Sequence, residues 1–207
     1  MWGTKDTSVS FCEKPYKESK YIAEYYNTLT GISYALVSIP FLKTKMKKLA
    51  IIGVFLSIGT ILLHMTQRIY GQIMDEVSML MLSYGMLSKM NNFYNPKYGI
   101  FLIGVYLKYY DNFKVFFTMF VTIIVCIVKE TKYLKRNRKL KNAFLIIMGT
   151  GMILWAVDQL ACTYVENLYL HSVWHICTSI SIFIGFYCIN DSIQDSNSKI
   201  SHSGKSQ

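Results

Sequence analysis

Charge is scarce in this chain: 16% of its 207 residues are Asp, Glu, Lys or Arg, whereas 52% are hydrophobic and mean hydropathy is +0.27. That balance excludes an ordinary soluble domain, in which about a quarter of residues are charged, and points to a membrane protein. No CxxC pair occurs among Cys12, Cys126, Cys162, Cys177 and Cys188, which argues against a thiolate zinc site or a dithiol redox motif. Met1 to Lys20 is polar and lacks an apolar core. A cleavable leader is therefore not expected, and the first membrane helix directs insertion itself. Acids are the scarcer charge, 12 Asp+Glu against 22 Lys+Arg, for a net +10. Basicity can signal nucleic acid, but here Lys and Arg collect in loops between apolar runs and no nucleic-acid motif accompanies them, so that partner is excluded.

What is present is a series of apolar runs, at 22–42, 48–66, 72–90, 97–110, 113–128, 141–158 and 170–190. A helix crossing a bilayer core of about 30 Å needs about 20 residues, and most runs approach that length. The predicted fold is all-α: an integral membrane bundle of seven transmembrane helices over 22–190, after an N-terminal segment 1–21 and before a polar, Ser-rich tail 191–207 expected to be disordered. Loop charge sets the orientation. KTKMKK (43–48) has four lysines, +4; the 89–97 loop has two, +2; KETKYLKRNRKLK (129–141) has seven basic residues and one Glu, +6. The alternate loops are nearly neutral, with Arg68 giving +1, Lys108, Asp111 and Lys114 together +1, and Glu166 −1. The excess of basic residues belongs on the cytosolic side, which places the N-terminus in the lumen and the C-terminus in the cytosol.

Four acids remain in or at the edges of the apolar runs, Glu24, Asp75, Glu76 and Asp158, together with His64, His171 and His175. Ionisable groups in such places are costly and are functional candidates. With the orientation above, His64 lies near the lumenal end of its span, Asp75 in the first turn of the next, and His171 and His175 in the first two turns of the last. All four stand at one membrane level. His171 and His175 are i and i+4, so they share a helix face and can converge on one cation. With His64 they make three protein nitrogens and an open position, the arrangement of catalytic zinc. Asp75 can take a proton from, or orient, a water at such a site. Thr60, one turn before His64, can reach a developing oxyanion. Asp158 is read either as an orienter of an imidazole or as a structural link between helices, and His202 is left in the tail without a role.

Three blocks carry a family likeness: FCEKPYKESKYIAEYYNT (11–28), GTILLHMTQRIYGQIMDE (59–76) and WAVDQLACTYVENLYLHSVWHICTS (155–179). In this order they resemble the alkaline ceramidases, membrane amidases of the superfamily that includes the adiponectin-type receptors. The resemblance implies a seven-helix fold with a lumenal N-terminus and hydrolysis of ceramide to a sphingoid base and a fatty acid, in the endoplasmic reticulum or Golgi membrane. The expected partners are a ceramide-type lipid and the bilayer, with no obligate protein partner. It implies zinc ligation by His64, His171 and His175, with Asp75 as the acid beside them and Thr60 in place of the usual Ser. It also implies a disulfide between Cys12 and Cys162. Family members bind calcium through a DWCExN pattern and a first-span Glu, which here correspond to Ser10, Phe11, Glu13, Pro15 and Glu24. Ser10 and Pro15 replace an acidic and an amide ligand, and calcium prefers six to eight oxygens, so the site should be weakened or lost. Glu13 and Glu24 then pair instead with Lys14 or Lys17.

Competing readings are a receptor of the adiponectin type, which has the opposite orientation, a metal transporter, and a lipid-binding relative without activity. The charge pattern makes a prediction. In sealed microsomes, whose outer face is cytosolic, a cysteine placed in 129–141 should react with an impermeant maleimide before permeabilisation. Reaction only after permeabilisation would reverse the orientation.

Overall fold

The protein is described by a computed structural model covering residues 2–133 and 138–203, all of it helix or connecting loop, with no strand among the described residues. The chain forms α1 (Tyr25–Thr30), α2 (Ile32–Ser38), α3 (Lys47–Thr66), α4 (Ile69–Met90), α5 (Pro96–Lys108), α6 (Phe113–Glu130), α7 (Arg138–Leu160), α8 (Cys162–Val165) and α9 (Leu170–Ser203). Each predicted apolar run is thus helical, but they are not equivalent. Among the described residues, only Lys47–Thr66, Arg138–Leu160 and Leu170–Gln194 are long and apolar enough, by length and composition, to cross a membrane. α5 has 13 residues, and α6 carries Lys114, Lys129 and Glu130 within its 18.

The run at 22–42 is not one helix. Ser57 Oγ donates to the Gly31 carbonyl at 2.9 Å at the junction where α1 gives way to α2. A 3-10 turn with Pro40 then ends the segment at Ile39–Phe41. Other ends follow ordinary capping chemistry: Asn95 accepts from Lys97 N with Pro96 in the first turn of α5, and Asn112 accepts from Lys114 N at the start of α6. α9 runs on past 191, into the segment expected to form a disordered tail, and has helical backbone as far as Ser203. Once α9 is nucleated and packed, each added residue needs only one more backbone hydrogen bond.

Polarity runs opposite to that of a water-soluble protein. Ser57, Thr60, Gln72, Asp75 and Glu76 are buried, whereas Ile100, Phe101, Ile146 and Ile153 are each at least 65% exposed. Apolar side chains on the outside and paired polar groups within suit a hydrocarbon solvent. Neighbours pack as α3 on α4, α7 on α9, and α2 against both α3 and α9. Trp155 of α7 stacks on Trp174 of α9, with ring centroids 5.0 Å apart.

The α3–α4 hairpin is the tightest of these pairs. Gln67, the single residue closing α3, sits at φ +51°, which turns the chain back on itself. A Cβ at Gly59 would lie 2.6 Å from Asp75 N, and one at Gly71 would lie 2.5 Å from Leu63 N, so the two backbones touch where glycine permits it. Above the hairpin, the N-terminal segment is tied down. Asp6 accepts from Ile69 N at 2.6 Å and pairs with Arg68 at 2.9 Å, and Cys12 is disulfide-bonded to Cys162, as expected.

Gly71→Ala should force α3 and α4 apart at a cost on the order of 1–3 kcal/mol, read as a lower melting temperature in detergent. Gly104→Ala, where an added Cβ meets nothing, should be neutral or stabilising.

Candidate metal centre

His64 closes α3, and His171 and His175 open α9. The packing of α1 against both α3 and α9 brings them together. One ring nitrogen from each lies within 4.8 Å of the other two, and all three side chains are buried. Ring centroids stand 5.1 Å apart for His64 and His171, 5.0 Å for His64 and His175, and 4.6 Å for His171 and His175.

Their outer partners decide what the inner nitrogens can do. His64 Nδ1 meets Glu24 Oε2 at 2.5 Å. The carboxylate can only accept, so the proton sits on Nδ1 and leaves Nε2 with a lone pair. His175 Nδ1 meets Thr30 Oγ1 at 2.9 Å, and that hydroxyl already donates to the Tyr26 carbonyl at 2.8 Å, so it too accepts from the ring. These assignments follow from the hydrogen-bond partners. A neutral imidazole whose far N–H is held by a carboxylate or hydroxyl is the form that ligates metals. His171 Nδ1 is buried with no partner, an orphan that a burial this deep makes costly. Three neutral imidazoles with no cysteine beside them fit a divalent ion of the zinc type.

Asp75 lines the same cavity as His171 and His175, with Phe11, Glu76, Trp155 and Trp174. Thr60 Oγ1 donates to Asp75 Oδ1 across the α3–α4 contact. The hydroxyl expected at an oxyanion thus meets the Asp75 carboxyl as well as the Leu56 carbonyl, 2.9 Å away. Met79, Tyr34 and Trp174 are shared with a deeper, almost wholly apolar cavity bounded by Leu56, Met86, Phe120, Ile124 and Ile182.

The five positions suggested for calcium are arranged otherwise. Ser10 Oγ accepts from the Lys5 ammonium at 2.5 Å, and Pro15 has no side-chain donor. Glu13 accepts from Tyr26 N at 2.8 Å and Asn27 N at 2.9 Å, capping α1. Burial holds the Glu13 carboxyl above its ordinary pKa, partly offset by those two N–H groups. Glu24, besides His64, accepts from Gln67 Nε2 at 2.8 Å and Asn27 Nδ2 at 3.1 Å. Every side-chain oxygen of the set already has a protein donor, and an ammonium stands at its Ser10 end. These residues do not fit calcium. Nor do the acids pair with Lys14 and Lys17 as the alternative reading expects: Lys14 binds Glu166, and Lys17 lies near Glu18 and Tyr169. Phe11 contributes its ring, 4.7 Å from His64 and 4.0 Å from His171 between centroids. Asp158 accepts from Cys12 N at 3.5 Å and from Gln159 Nε2 at 3.5 Å, joining the N-terminal segment to α7.

Sequence reasoning finds the three histidines but misses Thr30 and Gln67, whose polar side chains carry no charge to mark them. It also leaves Glu76 without a role, although the acid itself is conspicuous.

A sequence model of the ceramidase family matches residues 3–201. Among similar proteins, an alkaline ceramidase of Arabidopsis thaliana is 27% identical over 92% of this chain and 84% of its own length. Human alkaline ceramidase 1 is 24% identical, over 89% and 82% respectively. Alkaline ceramidase YPC1 of Saccharomyces cerevisiae is 24% identical, over 92% and 77%. Because the match runs from the N-terminal segment that roofs the histidines through α9 that supplies two of them, the chain belongs to the ceramidase family.

Proposed function

We propose that the protein is a zinc-dependent membrane amidase that hydrolyses ceramide to a sphingoid base and a fatty acid. The observation that carries this reading is the convergence of the buried His64, His171 and His175, the last two of which line a cavity with Asp75, in a chain of the ceramidase family. The seven helical segments then cross the bilayer as one bundle, with α1 and α2 together forming the first span and the shorter α5 and α6 completed by their neighbours. The Cys12–Cys162 bond supports a lumenal N-terminus, since disulfides persist in oxidising compartments. The endoplasmic reticulum or Golgi membrane meets that condition.

Zinc held by the three imidazoles would polarise the amide carbonyl and lower the pKa of water from about 15.7 towards about 7. The chain supplies the rest. Asp75 takes a proton from water as its oxygen adds to the carbonyl carbon, and returns that proton to the nitrogen as the C–N bond breaks. Thr60 holds the carboxyl in place for both transfers. Glu24 and Thr30 fix the two imidazoles whose tautomers are set. The apolar cavity beyond Met79 and Trp174 suits a long acyl or alkyl chain entering sideways from lipid.

Asp75→Asn and His171→Ala should each lower the hydrolysis of fluorescent ceramide by purified protein at least about 100-fold. Normal turnover in either variant sinks the assigned roles. Metal analysis should find zinc with the protein, and stripping it should abolish activity until zinc is restored. Calcium added to calcium-depleted, zinc-loaded protein should change the rate less than about twofold, because the oxygens at Ser10, Glu13 and Glu24 are already engaged. A larger stimulation would show that this segment still holds the ion.

A further inference from the structure

The apolar cavity beyond the histidines has an end. Its lining on α4 stops at Met86 and on α9 at Ile182, and on α7 the lining residue farthest from the histidines is Phe144. One turn past Ile182 comes Gly185, where an added Cβ would collide with Met86 Cε and lie 3.6 Å from Phe144 Cε2. The Met86 methyl thus takes the space that the missing side chain leaves, with the Phe144 ring beside it, and both side chains are buried. Together they close the floor of the cavity. The ten residues from His175 to Gly185 advance α9 by about 15 Å. That is half of a hydrocarbon core of about 30 Å, the depth that a single lipid tail fills.

At its other end the cavity meets the histidine site through a neck of Tyr34, Met79 and Trp174. The ionisable side chains, Asp75, Glu76, His171 and His175, all lie on the histidine side of that neck. The three hydroxyls on the far side are each already donating to a protein oxygen. Thr178 donates to the Trp174 carbonyl at 2.8 Å, so Tyr34 donates to Thr178 Oγ1 at 2.8 Å, and Ser83 donates to the Met79 carbonyl at 2.7 Å. Of the two arms that meet at the amide of ceramide, the sphingoid base carries hydroxyls close to the nitrogen, whereas the acyl chain is hydrocarbon from the carbonyl onward. The acyl arm is the one that passes the neck without burying a polar group. We propose that the apolar cavity is the acyl-chain pocket and that Met86, seated on Gly185, is the residue that limits acyl length. This rests on the ceramide reading above. A chain longer than the pocket must displace Met86 or double back against a close-packed wall, and a shorter one leaves a void at the floor.

Gly185→Ala and Met86→Ala move the floor in opposite directions. The first drives the Met86 methyl into the pocket, a shift that a flexible thioether chain can make, and the second removes it. The substrates are ceramides that share one sphingoid base and carry acyl chains of about 12, 16 and 24 carbons. Wild-type protein should hydrolyse the middle one with a kcat/KM at least about tenfold above that for the longest. Met86→Ala should shrink that ratio at least about threefold, and Gly185→Ala should move the preference towards the shortest by a similar factor. Varying the sphingoid chain at fixed acyl length should give one profile for all three proteins. Trp174 lines the pocket, so tryptophan fluorescence reads the binding of free fatty acids of the same lengths without turnover, and that binding should show the same order and the same shifts. Should Met86→Ala fail to fold, Gly185→Ala decides alone. A flat acyl profile in wild-type protein, an acyl profile that the folded variants leave unmoved, or a shift in the sphingoid profile instead overturns the proposal while leaving the amidase reading intact. Length-graded binding that moves with the floor, without hydrolysis, would leave the pocket standing and bring down the amidase reading.

Discussion

The hydrogen bond from His64 to Glu24 organises the centre of this molecule. A carboxylate buried in an apolar bundle is expensive unless its oxygens are taken up, and Glu24 achieves this with an imidazole, the Gln67 amide and the Asn27 amide. The same contacts fasten α1 to the end of α3, and with it to the residue that turns the chain into α4. Asn27 then reaches Ser172 of α9 at 2.7 Å, and Thr30 reaches His175. One acid thus sits at the root of a network that sets the relative positions of all three histidine-bearing turns. Partial loss of such a network leaves unpaired groups behind, so its members depend on each other more than pairwise contacts suggest.

Much of this was legible in the order of residues. The spacing of His171 and His175 on one helix face, and the position of His64 and Asp75 at matching depths, follow from helical periodicity and loop charge alone, and the rings do converge. The Cys12–Cys162 pairing came with the family likeness and is present. What was not legible depends on contacts across long stretches of chain. Glu24 and His64 are 40 residues apart, and nothing local to either shows that they meet. Thr60 looked like an oxyanion donor because only its own helix could be seen. Its partner, Asp75, becomes visible once Gly59 and Gly71 let the backbones touch. The junction at Gly31 was hidden for the same reason, since Ser57, which hydrogen-bonds there, belongs to another span.

The N-terminal segment shows how one task can be met by different chemistry. A cation bound between carboxylates would hold the segment over the bundle by ligation. Here Glu13 caps α1, Lys5 binds Ser10, Asp6 caps α4 and Ser8 engages Gln72, so ordinary hydrogen bonds, the ion pairs of Asp6 with Arg68 and Lys14 with Glu166, and the disulfide hold it. Substitution of Ser and Pro at the two altered positions is consistent with that replacement. The segment keeps its place, and Phe11 remains packed on two of the imidazoles.

The disulfide links residues separated by 150 positions. Synthesis runs from the amino end, so Cys12 waits unpaired while α1 to α7 are made before its mate arrives. Until then Phe11, its immediate neighbour, has no covalent anchor above the imidazoles. The roof of the cavity is therefore translated before the helices it covers and sewn down only after them, and a nascent chain stays open on that side until oxidation closes it.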